Sequence, residues 1–376
     1  MLRTFRGICF TVVLASGLLS QSLLATTTVA VGPSTCKPSL VHFSTIQAAV
    51  NASPFGTTID VCPGTYSEQV VITQPLTLQG VTDGIGNAAV ITVPGGGLVQ
   101  NGTSVSFGPV TVQLLVENTV GVIIKNLTVD GKGGNCPAGS NRNVGIGVFN
   151  DGSANDGTSA VKIENVVVRN DLVCSGDGIL ADTSYATITG SEIHDINQTA
   201  IDAFNAKYSI TNNSIQRAGA YGIVIFNNAS GTVVSGNNVS DGSFAGILSE
   251  SPNAATITKN TLLNNVWIGV YLFFTTNQTV TSNVASNSFW PVYVLSAANS
   301  TVQSNTLSDG SFDGVVDVAS FGGNNITKNT VNEGPFGIFW DGSGGDTLVP
   351  NTFYNVNTTI DPGPPSQTPP NPGSTP

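Results

Sequence analysis

Three features of this sequence predict an all-β fold, a right-handed parallel β-helix of about ten coils. The first is a repeat. From residue 187 onward the chain can be written as seven segments in register, among them "SITNNSIQRAGAYGIVIFNNASG", "TITKNTLLNNVWIGVYLFFTTNQ" and "TVQSNTLSDGSFDGVVDVASFGGN". The second is the pattern within a segment: apolar residues alternate in runs of three to five, separated by Asn, Gly and Ser, with no helical 3–4 spacing. The third is an asparagine that recurs at Asn213, Asn237, Asn260, Asn283, Asn305, Asn329 and Asn351, with gaps of 22 to 24 residues. A period of this length built only from strands and turns lays each strand over the previous one at about 4.8 Å, which makes a solenoid. Irregular spacing without a strict hexapeptide favours the right-handed form. The asparagine has a mechanical use, since it tolerates left-handed backbone angles at a tight turn and its amide can bond to its copies above and below.

The elements follow in order. "MLRTFR" and the uncharged "GICFTVVLASGLLSQSLLA" have the basic and apolar regions of a secretory signal over residues 1–25, with cleavage after Ala25 or as late as Ala30. An uncleaved anchor is the alternative. No later stretch is long and apolar enough to span a bilayer. The β-helix domain is expected over 36–360. "FSTIQAAVNASP" reads as a capping helix on the first coil: Ser44 and Gln47 have capping-box spacing, Ile46, Ala49 and Val50 share an apolar face, and Pro54 stops it. Irregular coils follow at "VIIKNLTVDG" and "VKIENVVVRND", around Asn126 and Asn165, with an insertion at about 131–160 between them. "DPGPPSQTPPNPGSTP" cannot form a coil, so residues 361–376 are expected to be a disordered tail or spacer.

Composition narrows the partners. The chain has 12 basic and 23 acidic residues, and loss of Arg3 and Arg6 with a signal would leave ten against 23, about −13. That balance excludes nucleic acid and anionic membrane as natural partners. Four cysteines remain after processing, an even number for an oxidising compartment. Of three pairings, Cys36–Cys62 and Cys136–Cys174 are expected, the first closing the N-terminal end and the second pinning the insertion. The expected location is secreted, extracellular or periplasmic.

The helix, then "DVCPGTYSEQVVI" and "PLTLQG", then the repeats, resemble the pectin-lyase-like superfamily of right-handed parallel β-helix proteins over nearly the whole mature chain. The resemblance implies the fold, and with it polysaccharide as a partner. It does not choose an activity, because the superfamily holds lyases, epimerases, esterases and hydrolases beside non-catalytic surface proteins. The local contexts of the pectinesterase aspartates and arginine are missing. "SGDGI" offers Asp177 at one place of the polygalacturonase aspartate pair, but Gly176 stands at the other. No metal or other cofactor is expected: His42 and His194 are too few for copper, and "NDGSANDGTS" has oxygen ligands that suit calcium, the alternative, but reads more readily as a plain Gly/Asp turn.

Two candidate sites emerge from the register. Four residues past the ladder position stand Arg169, Asp195, Arg217 and Asp241, so stacked coils would align Arg, Asp, Arg and Asp, with His194 alongside. His194, Asp195 and Arg217 could serve as base and carboxylate-neutralising cation of a lyase or epimerase. A structural ion ladder on a solvated face is the plainer alternative. The second site comes from the strand after each Gly. Ile179, Ile201, Ile223, Ile247, Val270, Val292, Val315 and Ile338 form an aliphatic core column, although the same register puts Asp317 inside unless that coil slips. The flanking positions then face outward and carry Asp182, Asp202, Phe204, Phe226, Tyr271, Phe273, Tyr293 and Phe339. Six rings at roughly 100 Å² each would expose about 600 Å². Sugar stacking is the expected use; cover by the insertion and contact with a second copy are the alternatives. An enzyme would be a lyase, epimerase or glycoside hydrolase, the rival being a non-catalytic binding or structural protein.

Overall fold

A computed structural model describes residues 27–82, 88–152, 160–171 and 173–361. The signal (residues 1–25), most of the "NDGSANDGTS" loop and the Pro-rich tail lie outside the described residues. The rest is a right-handed parallel β-solenoid of about 13 turns with one helix. One turn of the array shows the plan: Ala186–Thr189 on a first face, Glu192–Ile196 on a second, Thr199–Phe204 on a third, then Tyr208–Thr211 above the start. The first face stacks into a 13-stranded sheet, and the other two join into a 23-stranded one. The count exceeds ten because the early coils lack the asparagine and their strands are unevenly spaced.

The interior confirms the expected register. Ile201 pairs with Ile223, Ile247 with Val270 and Val292 with Val315, all inside the cylinder. Asp317 lies in this interior without any slip, opposite Val294, and is fully buried. Glycine ahead of the core column has a steric reason at Gly222, where an added Cβ would lie 2.3 Å from Val239 Cγ1 and 2.6 Å from the Gly246 carbonyl.

The asparagine ladder is present, but its geometry differs from expectation. Left-handed angles belong to the preceding residue (Asn212, Gly236, Lys259, Ser282, Ser304, Lys328), while the ladder residue points inward. Asn260 is representative. Its Oδ1 accepts from Asn237 N and Nδ2, both at 2.9 Å, and its Nδ2 donates to Asn283 Oδ1 and the Val234 carbonyl, both at 3.0 Å. Asn126 and Asn165 are themselves left-handed, so they occupy the position before the ladder. Arg169 is consequently one place out of the expected stack: it pairs in register with His194 and bonds to Asp130 at 2.9 Å.

The helix Ile46–Ala52 buries Ile46, Ala49 and Val50 over the first coil. Its cap is Thr45 rather than Ser44, and the Glu68 carboxylate accepts from the Ile46 and Gln47 amides at 2.8 and 3.0 Å. The chain joins the stack before residue 36, because Thr28–Val31 pairs with Thr57–Val61 and buries Val29 to Val31. A cut after Ala30 would remove most of that strand. Cys36 bonds to Cys62 and Cys136 to Cys174, closing separations of 26 and 38 residues, each about 3–4 kcal/mol in the chain-entropy model. No helix among the described residues is long and apolar enough to cross a membrane.

Candidate functional site

The third face turns Tyr271 and Phe273 away from the cylinder, with Val270 and Leu272 inside it. Facing away is not facing water, however. Tyr271 is 4% exposed, Tyr293 1%, Phe339 2%, Asp202 2% and Asp182 0%; only Phe226 and Phe273 of the expected face are half-buried rather than buried. The open patch of about 600 Å² expected from the rings is therefore absent, because the chain supplies its own cover. The turns before four successive third-face strands each contribute a ring (Phe244, Trp267, Phe289, Phe312), and these pack along the edge with the face residues: Trp267 to Phe289 at 5.4 Å, Trp290 to Tyr293 at 5.0 Å, Tyr271 to Tyr293 at 5.5 Å. At the other end a hairpin, Gly102–Ser104 with Gly108–Glu117, folds onto the face. Asp182 is its anchor, accepting from Ser104 Oγ at 2.5 Å and Ser106 N at 2.8 Å. Asp182 therefore holds the cover in place and has no open side for a ligand.

Between hairpin and ring edge a cleft of about 260 Å³ remains, lined by Phe107, Arg142, Gln198, Thr199, Asp202, Phe204, Tyr221, Val224, Phe226, Leu248 and Glu250. Phe107 meets Phe204 edge-on at 5.1 Å, and Phe204 meets Phe226 at 5.3 Å. Arg142 comes from the insertion. Its Nη1 donates to both oxygens of Asp177, at 2.9 and 2.7 Å, and to Asp202 Oδ2 at 3.1 Å, while the guanidinium lies 3.8 Å over the Phe107 ring. Thr199 N also donates to Asp177.

Two buried carboxyls thus share one cation. Burial raises both, to about 6 for Asp177 and well above the usual carboxylate range for Asp202, whose second cause is the charge of Asp177; Arg142 opposes the rise in each. Burial thus strengthens proton binding by the pair as a unit, and Asp202 lines the cleft. Glu250, on the far wall, is also raised by burial. From the register it stands two coils and two residues from Asp202, about 12 Å between backbones. A buried acid, a second carboxyl and a wall of rings can orient a ring-shaped polar molecule and exchange a proton with it.

The structure brings together some expected site residues and separates others. Asp202, Phe204 and Phe226 line the cleft; Tyr271, Phe273, Tyr293 and Phe339 continue the same face below it. His194, Asp195 and Arg217 do meet, on the second face and outside the cleft. His194 Nδ1 lies 2.6 Å from Asp195 Oδ2, and Arg217 grips Asp195 at 2.6 and 2.9 Å. That hydrogen-bonded pairing, mainly with Arg217, holds the Asp195 carboxyl far below its ordinary range. Sequence reasoning missed Arg142, Phe107 and Tyr221, and set Asp177 aside. Its partner is not the adjacent residue but Asp202, one coil on and three places along. Among the described residues no group of three or more His, Cys, Asp or Glu could hold a metal.

Comparison with known proteins gives the fold a wider setting. The family model for the right-handed beta helix region matches residues 144–307 and 203–356. No curated protein matches the sequence. Among solved structures, a mannuronan C-5 epimerase A-module of Azotobacter vinelandii is similar at 19% identity, with a TM-score of 0.64 and coverage of 84% of this chain and 92% of that one. A lacto-N-biosidase of Eubacterium ramulus gives 11%, 0.59, 89% and 68%, and the catalytic domain of an α-1,3-glucanase in complex with nigerose gives 14%, 0.55, 89% and 66%. Identities this low establish the shared fold alone.

Proposed function

Because the chain belongs to the right-handed beta helix family, we propose that it is a secreted protein whose third-face cleft binds extracellular polysaccharide and cleaves a glycosidic bond there. One observation carries the reading: Asp202, a buried carboxyl whose hold on a proton burial strengthens, lines a cleft walled by Phe107, Phe204, Phe226 and Tyr221. Rings stack on the apolar faces of sugars, and a protonated acid beside them can donate to a leaving glycosidic oxygen. Glu250, on the opposite wall, is the second carboxyl of such a pair. The two disulfides suit an oxidising compartment. The similar structures that are named for action on polysaccharides or oligosaccharides support the same substrate class.

The test is to incubate purified protein with a polysaccharide panel and score retention and new reducing ends. Asp202→Asn and Glu250→Gln should each lower the release of ends at least about 100-fold while the polymer is still retained. Retention without new ends in the wild type would replace cleavage by binding alone. That second reading is favoured by one feature, the chain's sealing of most of its own outward face.

A further inference from the structure

The cleft has an uneven charge inventory that bears on which polysaccharide it takes. Among the described residues that line it, Arg142 is the one cation; its Nη1 is held by Asp177 and Asp202 while its flat side rests on Phe107. Both carboxyls are almost completely buried, so releasing Arg142 to an incoming anion would leave two acids without a partner in a region of low polarity. Glu250 lines the same space, and among the described residues it makes no ion pair. Two carboxyls therefore share the one guanidinium, and a third lines the same cleft. A polymer of uronic acids brings a carboxylate on every sugar, and each one seated here would meet surplus negative charge at close range. A neutral sugar meets only ring faces and the polar groups of Gln198, Thr199 and Tyr221, at no charge cost.

We infer that the cleft selects neutral glycans and rejects polyuronates, because its single cation is already held by two buried aspartates. This rests on the reading of the cleft as a polysaccharide site. It also separates the chain from the named activity of the mannuronan epimerase whose fold it shares, since among the described residues of the cleft the one guanidinium is already paired with two carboxyls.

The experiment compares retention of the whole protein in affinity gels containing curdlan, xylan or galactomannan with gels containing alginate or polygalacturonate. Carboxyl-reduced polygalacturonate is the matched control, with the same linkages and no charge. At least one neutral polymer should be retained, uronates should bind about 30-fold or more weakly, and Glu250→Lys should narrow the gap. The reduced polymer should be retained better than its parent. Phe226→Ala should weaken the retained neutral polymer. Uronate binding as tight as neutral binding, and lost in Phe226→Ala, would overturn the selectivity while leaving the cleft as the site. Retention of no polymer, or retention indifferent to Phe226→Ala, would overturn the cleft itself and the inference with it.

Discussion

Arg142 is the residue on which the cleft depends. It lies in an insertion with no repeat character, yet it compensates Asp177 and Asp202 from two different coils. Replacing it by Met leaves both carboxyls buried without a cation, and breaking such a cluster costs about 3–5 kcal/mol. The acids can answer by taking up protons, so Arg142→Met should unfold at clearly lower denaturant than the wild type at pH 8, with a smaller gap at pH 5. Adding Asp177→Asn and Asp202→Asn to the same chain should restore most of the loss. Equal denaturation midpoints for single variant and wild type would show that the cluster is not coupled to folding. His194 is a contrasting case. Its partners Asp195 and Arg217 are readable from the sequence because they follow the coil register, but Arg217 is exposed and their bond serves a surface turn.

At the scale of the element, the asparagine ladder shows what a repeat does and does not disclose. Its period located the turns, and the stacking of amides followed from it. The division of labour did not: one residue takes the left-handed angle and the next buries its amide, a pairing visible only once φ is known at Lys259 and Asn260. That one-place offset explains why Arg169 leaves the expected ion stack. Asn260→Ala would strand the Asn237 N–H and side-chain amide and the Val234 carbonyl inside the wall. Each stranded group costs on the order of 1–3 kcal/mol, so a loss of about 3 kcal/mol or more is expected in chemical denaturation. Hydrogen exchange at the Asn237 amide should accelerate first. Unchanged protection there would mean that the ladder is incidental to the turn.

For the whole molecule, the acids enclosed toward the C-terminal end set a pH dependence. Burial raises Asp317 to about 8, helped by Asp346 and opposed by the Ser320 hydroxyl, and raises Asp313 to about 7 against the Trp290 N–H that bonds to it at 3.1 Å. Both bind their proton more tightly in the folded chain than in the unfolded one. Between about pH 4 and pH 8 the native state therefore holds more protons, and stability falls as pH rises through that window. Below it, Asp130, Asp195 and Asp341, whose carboxyls are lowered, lose their stabilising ionised form. Thermal unfolding should peak near pH 5, and Asp317→Asn should flatten the alkaline fall by at least about 1.4 kcal/mol between pH 6 and pH 8. A wild-type profile level from pH 5 to pH 8.5 would contradict this.

The sequence by itself determined the solenoid, its inward column, the lid helix and the outward direction of Tyr271, because stacking coils repeats each local choice at a fixed period. It could place a side chain on a face and say nothing of what lay over that face. Only the tertiary structure decided that the hairpin around Phe107 and the rings of the turns close most of the surface, and that Arg142 draws Asp177 and Asp202 together at the opening left between them. The reason is that these contacts join segments outside the repeat to segments within it, and no periodicity connects the two.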